Sequence, residues 1–298
     1  MLYLFVVSML WAFSFGLIKG ILTGIDSTFV ATARLLLSLL VFLPFIRFRG
    51  IGRKRILQLM FIGMLQYGVM YITYIHSFRY LQAYEVALFT IFTPIYVTLV
   101  NDFLQRRFSW FNLLTALLAV FGTGIVVGSR LSQNEILFGF IILQVSNVCF
   151  AFGQVYYRKV MGDHSGLDDK KVFGLLYLGG FLAAALFSVF VTSWEALILS
   201  SSQVMTLIYL GVVASGLGFF LWNYGARRTN VGALAIFNNL KVPLAIVVSL
   251  LFFGESAHVP DLILGGFLVI AALVINEWGI RTQFSTRWPG LQIKKDSR

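Results

Sequence analysis

The chain has 298 residues, 59% of them hydrophobic and only 12% charged, with a mean hydropathy of +0.86. Soluble domains average about 25% charged residues, so this composition excludes a soluble enzyme or binding module and indicates an integral membrane protein. The net charge of +11 does not form a nucleic-acid-binding surface, because the cations are parcelled out between apolar runs.

Ten apolar segments follow one another at 2–22, 28–46, 56–75, 83–102, 109–128, 135–157, 172–192, 204–226, 231–253 and 261–280. The first starts without a basic leader region or a small-residue cleavage site, so it reads as a spanning helix and not a removable signal. Lys and Arg alternate strictly between the connections. Five fall in 47–55 (RFRGIGRKR), two in 103–108, four in 158–171, two in 227–230 and five beyond Ile280, while Arg79 and Arg130 alone occupy the intervening ones. Basic loops stay cytoplasmic. The expectation is therefore ten crossings of the cytoplasmic (inner) membrane with both termini inside, and a basic tail, 281–298, resting on anionic lipid heads.

Pro94 and Pro243 lie half a chain length apart, each about a dozen residues into an apolar run (LFTIFTPIYVTLV and AIFNNLKVPLAIV). Five spans on each side of residue 130 force the second half to insert upside down. Proline-interrupted segments in corresponding positions point to the binding site of an inverted-repeat transporter. The expected fold is all-α, ten transmembrane helices as two inverted five-helix repeats, 1–130 and 131–280. The 158–171 connection, RKVMGDHSGLDDKK, reads as a solvated linker. Gly211, Ser215 and Gly218, with Gly265 and Gly266, read as close helix contacts.

Polar and aromatic residues inside the spans are the candidates for chemistry. Trp11, Phe15 and Lys19 share a stripe of the first span. Tyr67, Tyr71 and Tyr74 share a face of the third, beside Gln66, as pocket wall or as packing. Gln144, Asn147 and Gln154 form a polar stripe on the sixth, open to interhelical hydrogen bonding or to a cavity. Trp222, Asn223 and Tyr224 close the eighth. Arg34, about two turns into the second span, reads as snorkelling or as tying helices together. Glu85 enters the fourth span and is the carboxylate best placed to carry a coupling proton; Asp102 and Glu255 stay near interfaces.

The ninth segment, GALAIFNNLKVPLAIVVSLLFF, holds Asn238, Asn239, Lys241 and Pro243 at its middle. A mid-membrane lysine costs roughly 2.5–3.5 kcal/mol on insertion scales, so it should face a protein cavity. Asn238 and Lys241 lie about 60° apart around the helix, offering an amide and an ammonium to a small anion. Three intramembrane cations (Lys19, Arg34, Lys241) stand without a central acid, and a buried unpaired ammonium either loses its proton or waits for an anionic ligand. Cys149 is the one cysteine, excluding an intrachain disulfide, and no Cys or His grouping has metal spacing. No metal or cofactor is expected. No H-E-x-x-H, G-x-S-x-G or phosphate-cradling glycine loop is present, which disfavours an enzyme.

LLWAFSFGLIKG, ATARLLLSLLVFLPF, the PIYV and VPLA prolines and FFGES resemble the EamA-type drug/metabolite transporter superfamily over nearly the whole chain. The runs DSTFVATARLLLSLLVFLPFIRFRG, LQVSNVCFAFG and LGVVASGLGFFLWNYGA are similar to its biotin-importing branch. The resemblance implies a central cavity with alternating access. The superfamily often carries a Glu after the proline helix of both halves. Here Glu255 has that place in the second half, whereas Arg106 has it in the first, against any coupling that needs both acids. The expected partners are membrane lipid and a small carboxylate such as biotin, with Lys241 and Asn238 holding it. Trp11, Phe15, Tyr71, Tyr74, Asn147, Trp222 and Asn223 would wall the cavity, in a monomer or homodimer. An exporter of amino acids or related metabolites is the alternative.

Overall fold

The computed structural model describes residues 2–104, 134–162, 167–227 and 231–254, with isolated positions at 106, 114, 121 and between 260 and 278. The spans expected at 109–128 and 261–280, the tail 281–298, Glu255, Gly265, Gly266 and the side chain of Asn238 lie outside the described residues. Those that are described form an all-helical protein without a β-strand.

Seven helices among them are long and apolar enough to cross a membrane. They are α1 (Leu2–Leu22), α2 (Ser27–Phe45), α3 (Arg53–Ser77), α4 (Ala83–Leu104), α5 (Glu135–Gly162), α6 (Asp169–Val191) and α7 (Ser201–Gly225). An eighth, α8, runs Val231–Phe252. Their polarity is arranged as lipid requires. On α6, Leu182, Leu186, Phe187 and Phe190 are exposed, whereas Arg34, Gln66, Asn147, Ser215 and Lys241 are buried within the bundle. Hydrocarbon offers no hydrogen bonds, so polar side chains turn inward to find partners. The protein is a multi-pass membrane protein.

Helix contacts recur with a regular offset. As α1 packs on α8, α5 packs on α4; α3 meets α6 and α5, and α7 meets α2 and α1; α2 also meets α6, and α4 meets α8. Glycine makes the closest of these approaches possible. A Cβ built on Gly63 of α3 would sit 1.8 Å from the Leu176 carbonyl oxygen, and one on Gly179 of α6 would sit 2.0 Å from that of Met60. Without a hydrophobic drive between helices in lipid, such backbone contact supplies the packing energy. Gly211 likewise presses α7 onto Leu37 of α2, in keeping with a packing role.

The two prolines behave differently. A 3₁₀ turn, Thr90–Phe92, breaks α4 just before Pro94. Proline cannot donate to the carbonyl four residues back, and the Thr93 hydroxyl donates to that Thr90 oxygen instead, at 2.7 Å. Pro243 sits inside α8 with no interruption of the helix, so only one of the two expected breaks is present. The sequence did not announce three π-helical stretches, Ile18–Leu22, Met64–Val69 and Tyr209–Leu217, of which the last two lie mid-helix in α3 and α7.

At the α1–α2 turn, Gly24 takes a φ of 107°, and Asp26 caps α2 by accepting from the N–H groups of Thr28 and Phe29 at 3.1 and 2.9 Å. The Thr28 hydroxyl and Thr192 Oγ1, the latter at 2.7 Å, also donate to it, tying this turn to the end of α6. Partial burial raises the Asp26 carboxyl. The Thr28, Thr192 and Phe29 hydrogen bonds and the Arg79 charge outweigh that and hold it below its ordinary value of 3.8.

Two outcomes follow for stability in detergent. Gly63→Ala should destabilise by about 1–3 kcal/mol as overpacking does, whereas Gly52→Ser, at a position where nothing approaches within 4 Å, should leave the melting temperature unchanged. A carboxyl with a lowered folded-state pKa contributes stability above its unfolded value and loses it as pH falls through the folded one. Acidification below about pH 4 should therefore lower the melting temperature less in Asp26→Asn, which keeps a cap, than in the parent.

Candidate functional site: a cationic, aromatic cavity

One cavity among the described residues is walled by seven helices and encloses about 550 Å³, its open side included. Its anchor is Lys241, on α8 and only 5% exposed. The ammonium lies 5.4 Å from the Trp11 ring centroid and 5.5 Å from that of Phe150. No acidic side chain pairs with it among the described residues. Cation–π contact returns about 2 kcal/mol when desolvated, less than the several kcal/mol that burying an ion costs. The remainder is available to an anion that enters.

Trp11 is held in turn. Its indole N–H donates to the Ala214 carbonyl of α7 at 2.9 Å, and its ring packs against Phe219 at 4.7 Å. Phe15, one turn further along α1, meets Tyr74 of α3 edge-on at 6.0 Å. The expected stripe on α1 thus faces the cavity at Trp11 and Phe15. Lys19 leaves it: the π turn at Ile18–Leu22 carries this residue, and its ammonium bonds the Phe78 carbonyl at 2.8 Å.

A second cation lines the same space. Arg34 of α2 is 3% exposed, so it does not snorkel. Its Nε and Nη2 donate to Ser215 Oγ at 3.2 and 2.9 Å, Nη2 also to the Tyr71 hydroxyl at 3.1 Å, and its carbon lies 4.3 Å from the Tyr71 ring centroid. It does tie helices together, through side-chain hydroxyls and not through backbone carbonyls. Nη1 has no partner among the described residues. An arginine within a span was the signal for a site residue; Ser215, 181 residues away, could not be assigned to it from spacing.

Across the cavity, Asn147 of α5 donates to the Phe89 carbonyl at 3.0 Å and to Gln144 at 3.1 Å, and Thr93 reaches its side-chain oxygen at 3.4 Å. Thr90 and Ser146 complete this neutral polar side. Gln144 also accepts from Tyr96 at 3.1 Å, so this member of the α5 stripe makes an interhelical bond. Ser14, Ile18, Met70 and Phe219 line the cavity as well and were not anticipated.

Of the residues expected at the site, the structure brings together Lys241, Trp11, Phe15, Tyr71, Tyr74 and Asn147. Trp222 and Asn223 stand behind the wall. Trp222 is fully buried against the far side of Trp11, 4.9 Å away, and Asn223 donates to the Tyr67 hydroxyl at 2.9 Å. Tyr67 itself stacks on Tyr177 at 5.2 Å and meets Phe219 at 5.1 Å, outside the cavity lining. Glu85 closes a capping box on Gln82, accepting from its N–H at 2.8 Å.

Comparison with known proteins gives the family. The model of the EamA-like transporter family matches residues 1–128 and 137–277. A biotin transporter of Salmonella typhimurium is 39% identical over 93% of this chain and 92% of its own length. A probable biotin transporter of Pseudomonas aeruginosa is 39% identical over 94% and 99%, and the biotin transporter of Escherichia coli 37% over 93% and 92%. A crystal structure that covers 92% of this chain and 95% of its own superposes with a TM-score of 0.64 at 17% identity, a likeness of fold. The chain belongs to the EamA-like transporter family.

Proposed function

We propose that this transporter takes up a small organic anion, biotin foremost, by alternating access across the cytoplasmic membrane. The observation that carries the reading is Lys241, buried against two aromatic faces in a cavity with no acidic partner among the described residues. A carboxylate entering there would remove the cost of the bare ammonium through a charge-assisted hydrogen bond, and the Trp11, Phe15, Phe150 and Phe219 rings would receive a compact apolar body. Biotin has that form: one carboxylate on a short apolar chain, ending in a fused ring. The relatives named as biotin transporters support it as the substrate. Asn238, three residues before Lys241 on α8, is the proposed amide partner of the same carboxylate.

Ten helices in two inverted repeats, 1–130 and 131–280, are the proposed frame. The contact pattern favours it: shifting each of α1–α4 to its counterpart among α5–α8 maps the α1–α8, α3–α6 and α3–α5 contacts onto α5–α4, α7–α2 and α7–α1. Mid-helix π stretches in α3 and α7 fit the same pairing. Cations in alternate loops place both termini in the cytoplasm on this reading.

The test is uptake of radiolabelled biotin into proteoliposomes, with and without an imposed proton gradient, competed by amino acids. Lys241→Gln should lower uptake at least tenfold, the loss of a hydrogen bond to a charged group being worth about 1.5–3 kcal/mol, while insertion and melting temperature stay near those of the parent. Unchanged transport in that variant would defeat the proposal, as would competition by amino acids as strong as by biotin itself.

A further inference from the structure

Lys241 and Arg34 flank one ring. Phe219 packs 4.7 Å from Trp11 and 5.7 Å from Phe150 on the Lys241 side, and 5.8 Å from Tyr71 on the Arg34 side. The cavity therefore presents two separate cationic donors. A single carboxylate satisfies one of them.

We infer that Arg34 is a second recognition group, which donates through Nη1 to a neutral carbonyl at the end of the ligand remote from its carboxylate. This rests on the biotin reading and assigns that carbonyl to the ureido oxygen. The division of labour follows from what each cation has left to give. A guanidinium grips a carboxylate best with two parallel N–H donors from two nitrogens. In Arg34, Nε and Nη2 are already committed to Ser215 and Tyr71, and the charge is spread over the Tyr71 ring. One nitrogen remains, buried and without an acceptor among the described residues. That is a donor for one oxygen, and leaving it unmet is costly to the free transporter. Lys241 meets two ring faces and no acidic side chain among the described residues, and needs the full negative charge more. A ligand lacking the distal carbonyl leaves Nη1 bare, and discrimination by an unmatched buried donor is stronger than discrimination by fit.

The test crosses two protein variants with two analogues in competition with radiolabelled biotin on the purified full chain. Biotin amide lacks the carboxylate. 2-Iminobiotin replaces the ureido oxygen by nitrogen and is cationic at neutral pH. The wild type should reject both by about 10–100-fold relative to biotin. Arg34→Gln should lose most of its rejection of 2-iminobiotin while still rejecting biotin amide, and Lys241→Gln should do the reverse. Should Arg34→Gln fail to fold, Arg34→Lys serves. A lysine ammonium keeps three N–H donors but ends short of the Nη1 position, so the donor to the distal carbonyl is lost and the same loss of selectivity is expected.

The inference is overturned if Arg34→Gln or Arg34→Lys weakens biotin and both analogues by one common factor, which is what a purely structural role gives. It is equally overturned if those variants lose discrimination against the amide instead. Absence of biotin binding to the wild type would sink the substrate proposal itself, a result distinct from either of these.

Discussion

Two buried positive charges without a paired acid among the described residues are the constraint around which the bundle is organised. Water would solvate them and hydrocarbon cannot, so they must lie in a protein interior that returns part of the lost hydration. Seven helices close round them. Aromatic faces cover Lys241, while two hydroxyls and a ring cover Arg34. Neither arrangement neutralises its charge. A stable soluble core would place a carboxylate there; on the proposed function that place is kept for the cargo, whose pairing would favour the loaded state over the empty one.

The packing that holds this cavity is of two kinds. Backbone-to-backbone contact through Gly63 and Gly179 locks α3 to α6 without using any polar group. Hydroxyl and carbonyl bonds, such as Ser38 to the Gly211 carbonyl and Tyr177 to those of Ser215 and Gly216, fasten α2 and α6 to α7 where its π stretch rearranges the backbone hydrogen bonding. Ser215 stands at the junction, receiving Arg34 and Tyr71 together. Rocking of α2 against α7, as the proposed alternating access would need, would change what Arg34 can reach and so link the proposed recognition group to the contacts that move.

Much of the fold was legible because its signals are local. Apolar length marked the described spans, and the cations between them marked the loops. The 3₁₀ break before Pro94 follows from the missing N–H. Lys241 was legible as a cavity-lining residue because insertion cost alone demands a cavity, and Trp11 and Phe15 because helical spacing puts them on one stripe. Trp222 and Asn223 were not, since an apolar helix is buried on several faces and hydropathy does not say which face meets a cavity and which a neighbour. Arg34 was legible as a tie between helices, but its partners were not. Its partner Ser215 lies on another helix, and the free Nη1 is visible only once the other two nitrogens are accounted for. The π stretches were invisible: each holds a glycine (Gly20, Gly68, and Gly211 with Gly216), but so do uninterrupted helical segments such as α6.

The most direct measurement is an experimental structure of the full chain with biotin bound. The account predicts the ligand carboxylate in charge-assisted contact with Lys241 Nζ, at about 2.7–2.9 Å, with the ring system among Trp11, Phe150 and Phe219. A carboxylate pointing away from Lys241, with that ammonium still seated on the two aromatic faces, would contradict it.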